Sequence, residues 1–232
     1  MFDLPRNIWV LFCAQAFGSC GTITVITIGG IVGAVMAPEE SLATAPVTAM
    51  ILGVAITTIP AAMVMQRVGR RAGSIMGTFT AMAGAGLGAY AIAMDNFWLF
   101  VIAMIPIGSN QAFIQQYRFA AIESVDSAAA PRAVSTIMLG AIVAAFVGPE
   151  VGIRAAHALP ESVYAGSFIG LGALYLCSAI ILTQLRVQAT PVVGSSAQGG
   201  ARPLTNVLFQ SITITALLGA AIGYGVMTLL MT

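Results

Sequence analysis

Met65-Gln66-Arg67-Val68-Gly69-Arg70-Arg71 places three of the chain's nine basic residues, all of them arginine, within seven positions. An apolar run covers 44–65 on its left and another covers 72–94 on its right, and neither contains a charged residue. Each is longer than 20 residues. A helix of that length crosses the roughly 30 Å hydrocarbon core of a bilayer. A short arginine-rich turn between two such helices belongs in the cytoplasm, and this placement orients every other segment.

Composition points the same way. Of 232 residues, 59% are apolar and only 7% charged, with mean hydropathy +0.96. Soluble domains carry about 25% charged residues, and a water-soluble fold of this length cannot enclose so much apolar surface. The fold class is therefore an all-α polytopic membrane protein. The net charge of +1 points to no partner, and with no basic face outside short loops nucleic acid is not expected as one. Cys13, Cys20 and Cys177 sit in apolar segments without CxxC spacing. They read as small buried residues, so neither a metal site nor a cofactor is expected. The first apolar run, 8–35, exceeds the 7–15 residues of a signal-peptide core and is read as a retained membrane helix.

Apolar windows predict seven spans, at 8–35, 44–65, 72–94, 97–121, 133–153, 163–185 and 204–231. Asp95-Asn96 is a two-residue turn, Pro131-Arg132 is a helix-start signal, and the connector 154–161 holds the lone histidine, His157. With the amino terminus in the cytoplasm, Arg6, Arg67, Arg70, Arg71, Arg118, Arg132, Arg186 and Arg202 fall inside and Arg154 alone falls outside. That asymmetry obeys the positive-inside rule. The stretch 186–203 is rich in Gly, Ser, Pro and Gln and reads as a flexible linker. The expected organisation is a six-helix transmembrane bundle over 1–185, a cytoplasmic linker over 186–203, and a seventh transmembrane helix over 204–232 that starts a missing second half. Glycine pairs four apart (Gly29/Gly33, Gly73/Gly77, Gly84/Gly88, Gly166/Gly170, Gly219/Gly223) predict close helix contacts.

Gln66-Arg67-Val68-Gly69-Arg70-Arg71 resembles the loop between helices two and three of major facilitator superfamily (MFS) transporters, whose pattern is Gly-x-x-x-Asp-Arg/Lys-x-Gly-Arg-Arg/Lys. Arg67, Gly69, Arg70 and Arg71 match, while Ala62 stands for the first Gly and Gln66 for the Asp. In the family that acid helps lock the outward-facing state through a charge relay. Glu123, nine residues before Arg132-Ala133, is similar to the acid ending helix four and the Arg-Ala opening helix five. Gly140, followed by Gly148-Pro149-Glu150-Val151-Gly152, resembles the helix-five motif of the antiporter branch. The family's helix-four Arg would fall at Met104 and is absent.

The resemblance implies two pseudo-symmetric six-helix halves, of which this chain holds slightly more than one. It implies a secondary active transporter of a small molecule, an efflux or antiport permease working by alternating access, with proton coupling as an option. The bilayer, a bacterial inner membrane, surrounds it, and the missing half or a second copy is the expected protein partner. Gln66, Arg67, Gly69, Arg70, Arg71, Glu123 and Arg132 are the implied gate and charge network, with Arg70 reaching Glu123.

Polar residues within the spans point to a substrate path. Gly108, Gln111, Gln115 and Arg118 are spaced three, four and three apart and share one face of a helix. Amides there are costly against lipid and belong in a cavity. For Arg118 the alternative is to snorkel to the inner interface. In the first helix Gln15 is a cavity candidate, whereas the hydroxyls of Ser19, Thr22 and Thr24 can bond their own preceding turn. Glu150 either serves proton coupling or pairs with Arg154 at i+4, and the pair is the expectation. An enzyme is not expected, because a rhomboid-like hydrolase needs a membrane-embedded His and Ser. A non-transporting accessory or assembly subunit is the alternative function. No signature names the substrate.

Overall fold

The computed structural model describes residues 4–156 and 164–185, all within one unit, Met1–Gln188. His157, the linker 186–203 and the seventh span lie outside the described residues. Among the described residues, six helices are long and apolar enough to cross a membrane: α1 (Arg6–Met36), α2 (Ala45–Val68), α3 (Arg70–Ala93), α4 (Phe97–Glu123), α5 (Ala130–Ala156) and α6 (Ala165–Thr183). Among the described residues no strand occurs. The first six predicted spans are all present, with shifted ends.

Local chemistry sets those ends. Proline precedes or opens three helices, at Pro5 before α1 and at Pro46 and Pro131 in the first turns of α2 and α5, where a missing N–H costs nothing. Asn96 caps α4, its side chain accepting from the Leu99 N–H at 3.0 Å. The basic stretch departs from expectation in its turn. α2 runs on to Val68 and α3 restarts at Arg70, so the predicted turn shrinks to Gly69 alone, at φ 92 and ψ 157. The Gly69 N–H donates to the Met65 carbonyl at 3.1 Å, and its own carbonyl accepts from the Gly73 N–H at 3.0 Å. Both helices therefore keep their hydrogen bonds through a backbone conformation that only glycine adopts without strain.

Four helices depart from regular geometry, among them α2, which holds Pro60 in its interior. α1 contains one π-helical stretch, Val25–Gly29. In α4 the Gln116 N–H bonds the Phe113 carbonyl instead of continuing the i−4 ladder, which breaks the helix for one residue. Pro149 sits inside α5 and removes a ladder hydrogen bond there.

α1 packs chiefly on α5 and α6, α2 on α4, and α3 on α4 and α6. Glycines make these approaches possible. A side-chain carbon on Gly108 would run into the Met50 carbonyl, and one on Gly53 into the Ile105 carbonyl, so α2 and α4 meet backbone to backbone. The helix-five glycines face α1. A carbon on Gly140 would fall 2.7 Å from the Phe12 carbonyl oxygen, one on Gly148 3.2 Å from that of Cys20, and one on Gly152 2.5 Å from Ile28. Of the predicted glycine pairs, Gly77 lies under Phe113, Gly88 under Phe168 and Gly166 against Ala155.

The core forms two clusters, one around Phe100, Met104, Ile107, Phe168 and Tyr175 and one around Leu11, Ile114, Tyr117, Ile137 and Leu182. Large apolar side chains such as Ile56, Ile59, Phe146 and Ile180 are exposed, as expected where hydrocarbon is the solvent. For the same reason the expectation of three buried cysteines needs correction. Cys20 is buried, Cys13 is half-buried and Cys177 points outward, because in lipid an apolar thiol gains little from the interior.

Candidate functional site

Gly69 places Arg70 at the first position of α3, and α4 ends on Glu123. The two side chains meet as a fork: Nε donates to Oε2 at 3.1 Å and Nη2 to Oε1 at 2.6 Å. Two parallel charge-assisted bonds fix orientation as well as distance. The side chains keep 27% and 54% of their accessible surface, so the pair is interfacial and not buried. Gln66, Arg67 and Arg71 are exposed around it, and Arg132 is exposed in the first turn of α5. Of the implied charge network, the structure brings together Arg70 and Glu123 through the Gly69 turn. At another junction Arg6 donates to Gln184 Oε1 at 2.8 Å, tying the start of α1 to the end of α6.

The polar residues within the spans assemble differently from their spacing alone. Thr22 Oγ1 donates to Gln111 Oε1 at 3.1 Å, joining α1 to α4, and Gln15 Nε2 donates to Ser19 Oγ at 3.1 Å. Gln15, Ser19 and Thr22 recur at i, i+4 and i+7, so they share one face of α1, and Gln111 and Gln115 share one face of α4. Gln15, Thr22, Gln111 and Gln115 are half-buried. Together these side chains form an amide–hydroxyl wall in otherwise apolar helices.

Gly108 is not part of that wall but a buried contact on Met50. Arg118 lies beyond the break at Gln116, is exposed, and makes no hydrogen bond or ion pair with the described residues. Thr22 was passed over in the sequence because a helical threonine can satisfy itself on its own turn. Its spacing of seven from Gln15 was the available signal.

The helix-five motif has a packing role in this geometry. Thr24 Oγ1 donates to the Gly148 carbonyl at 3.3 Å, next to Pro149, and Gly140, Gly148 and Gly152 seat α1. Glu150 pairs with Arg154 at 2.5 Å, as the i+4 spacing predicts, and both side chains are largely exposed, at 56% and 79%. A residue the sequence did not single out is Asn110. It is buried in α4, and its side-chain oxygen has no partner among the described residues. No cluster of metal-binding side chains occurs among the described residues.

Comparison with known proteins adds an independent line. Over 227 residues the chain is 33% identical to the riboflavin transporter RfnT of Brucella anthropi, an alignment covering 98% of this chain and 57% of that protein. It is 29% identical over 184 residues to the uncharacterized MFS-type transporter YdeG of Bacillus subtilis, covering 76% of this chain and 42% of YdeG. The corresponding figures for YddS of the same organism, also an uncharacterized MFS-type transporter, are 26% over 181 residues, 76% and 41%. The chain thus spans about half the length of the curated relatives it matches. No family model matches it, and no solved structure does.

Proposed function

This chain is homologous to MFS-type transporters and belongs to the major facilitator superfamily; on that premise we propose that it supplies the first six-helix half of a secondary active transporter, with riboflavin as the candidate substrate. The observation that carries this reading is the half-buried wall of Gln15, Thr22, Gln111 and Gln115 within membrane helices. Polar amides at that depth need water, a ligand or further protein against them. The fork between Arg70 and Glu123 serves as an inner gate latch between α3 and α4, one that stays shut while the inner ends of the helices remain together.

With Gln66 in place of an acid, Glu123 carries more of the pairing with Arg70. The apolar run 204–231 is read as a seventh membrane helix opening the second half, with 186–203 as the cytoplasmic linker. The arginine distribution supports a cytoplasmic amino terminus in a bacterial inner membrane. The likeness of Gly140 and Gly148-Pro149 to the antiporter motif supports efflux or antiport. Tritiated riboflavin flux, measured in both directions in cells that express the chain together with a second six-helix half, tests the reading, since alternating access needs two halves that rock against each other. Movement above vector control is expected. Flux equal to control in both directions, with the protein verified in the membrane, would overturn it.

A further inference from the structure

We infer that the wall shared by α1 and α4 selects an uncharged ligand rich in both hydrogen-bond donors and acceptors, and discriminates against ions. The inference rests on the transporter reading above and specifies its substrate class. Every side chain in the wall is neutral, and amides and hydroxyls both donate and accept. Their internal bonds leave valences open. Thr22 occupies Gln111 Oε1, which leaves the amide N–H groups of Gln111 for a ligand and holds the side chain in one orientation. Gln15 spends one N–H on Ser19 and keeps its oxygen and second N–H, while Gln115 keeps a whole amide. Donors and acceptors thus stand side by side on two helices, complementary to groups such as an imide edge or a row of hydroxyls.

Among the described residues, the wall itself holds no charged side chain. Arg70 is engaged by Glu123 and Arg154 by Glu150, each pair at the end of its helix. Arg118, three residues past Gln115, is exposed and not half-buried like the amides. An ion moving from water to the wall would lose hydration and meet no charge among the wall's own side chains, whereas a neutral polar ligand exchanges water hydrogen bonds for amide ones.

The test is equilibrium binding to the protein in nanodiscs, using riboflavin, uridine, riboflavin 5′-phosphate and thiamine as probes. The first two are neutral imides, the third carries the riboflavin ring with an added phosphate anion, and the fourth is a cation. Binding of a neutral probe at least about tenfold tighter than either ion is expected, with Gln111→Leu weakening it about tenfold. Thr22→Val, which only frees the amide, should weaken it about two- to fivefold.

Should Gln111→Leu fail to insert, the near-isosteric Gln111→Glu substitutes for it, and it should lose the neutral probe and gain thiamine. Uridine bound without riboflavin would sink the riboflavin assignment and leave the class standing. Riboflavin and its phosphate bound alike would do the reverse. Thiamine bound as tightly as the neutral probes, no neutral probe bound, or unchanged affinity in the Gln111 and Thr22 variants would overturn the inference.

Discussion

Gly69 joins two membrane helices by itself, at φ 92 and ψ 157, with open space where a side chain would stand. The demand for glycine there comes from the backbone and not from crowding. Gly69→Ala should therefore cost about 1–3 kcal/mol, read as a lower thermal midpoint in detergent. An unchanged midpoint would mean the junction relaxes to an ordinary conformation. One residue on, the Arg70–Glu123 fork can be weighed by its exposure. At 27% and 54% exposed it lacks the leverage of a buried pair, yet its two-bond geometry lifts it above a casual surface contact. A double-mutant cycle of Arg70→Ala and Glu123→Ala should give a coupling of about 1 kcal/mol, shrinking at high salt. Strictly additive losses would remove the latch and leave the fold as described.

Between elements, contact is governed by what glycine leaves out. The α2–α4 crossing places Gly108 on the Met50 carbonyl and Gly53 on the Ile105 carbonyl. A methyl at either site has to push backbone, which cannot step aside as a flexible side chain can. Gly108→Ala should destabilise the bundle by about 1–3 kcal/mol. Gly86, on the open side of α3 with no atom within 4 Å of an added carbon, is the matched control. Gly86→Ala should be neutral or slightly stabilising, since alanine is the better helix former. Equal losses at both sites would show that glycine content, not the crossing, is what matters. Thr24 ties α1 to α5 beside Pro149, and Thr24→Val should cost about 0.6 kcal/mol, the usual size of an interhelical hydrogen bond in lipid.

At the scale of the bundle, the six spans of the described residues, joined by short connections, must alternate in direction. The Gly69 junction, the end of α4 and the start of α5 then share one side, and the Asp95 turn lies on the other. In a background with Cys13, Cys20 and Cys177 changed to Ala, Val68→Cys should be labelled by an impermeant thiol reagent only in inverted vesicles. Asp95→Cys should be labelled in intact cells. Both positions are exposed, so access across the membrane, not burial, decides the outcome. The opposite pattern would invert the topology. α2 and α5 bury only 22% and 28% of their most apolar windows, against 44% to 56% in the other four helices, so they have the most surface left for lipid or further protein.

The spans, the helical class and the likeness to a transporter family were determined by the sequence alone. Each rests on a one-dimensional property: the length of an apolar run matched to the bilayer, the charge of a short connector, and the order of a few motifs along the chain. The partner of Arg70 was reached through that likeness, which implies that the loop arginine meets the acid ending the fourth helix. Tertiary structure alone decided which faces meet. A hydrophobic pattern marks the inside of a protein only when the outside is water, and in lipid both sides are apolar. Spacing therefore put Gly108 and Arg118 in one stripe with Gln111. Packing turned Gly108 into a backbone contact, and it left Arg118 exposed where Gln111 and Gln115 are half-buried. Thr22 became the partner of Gln111 because two helices crossed there, a fact held in neither helix by itself.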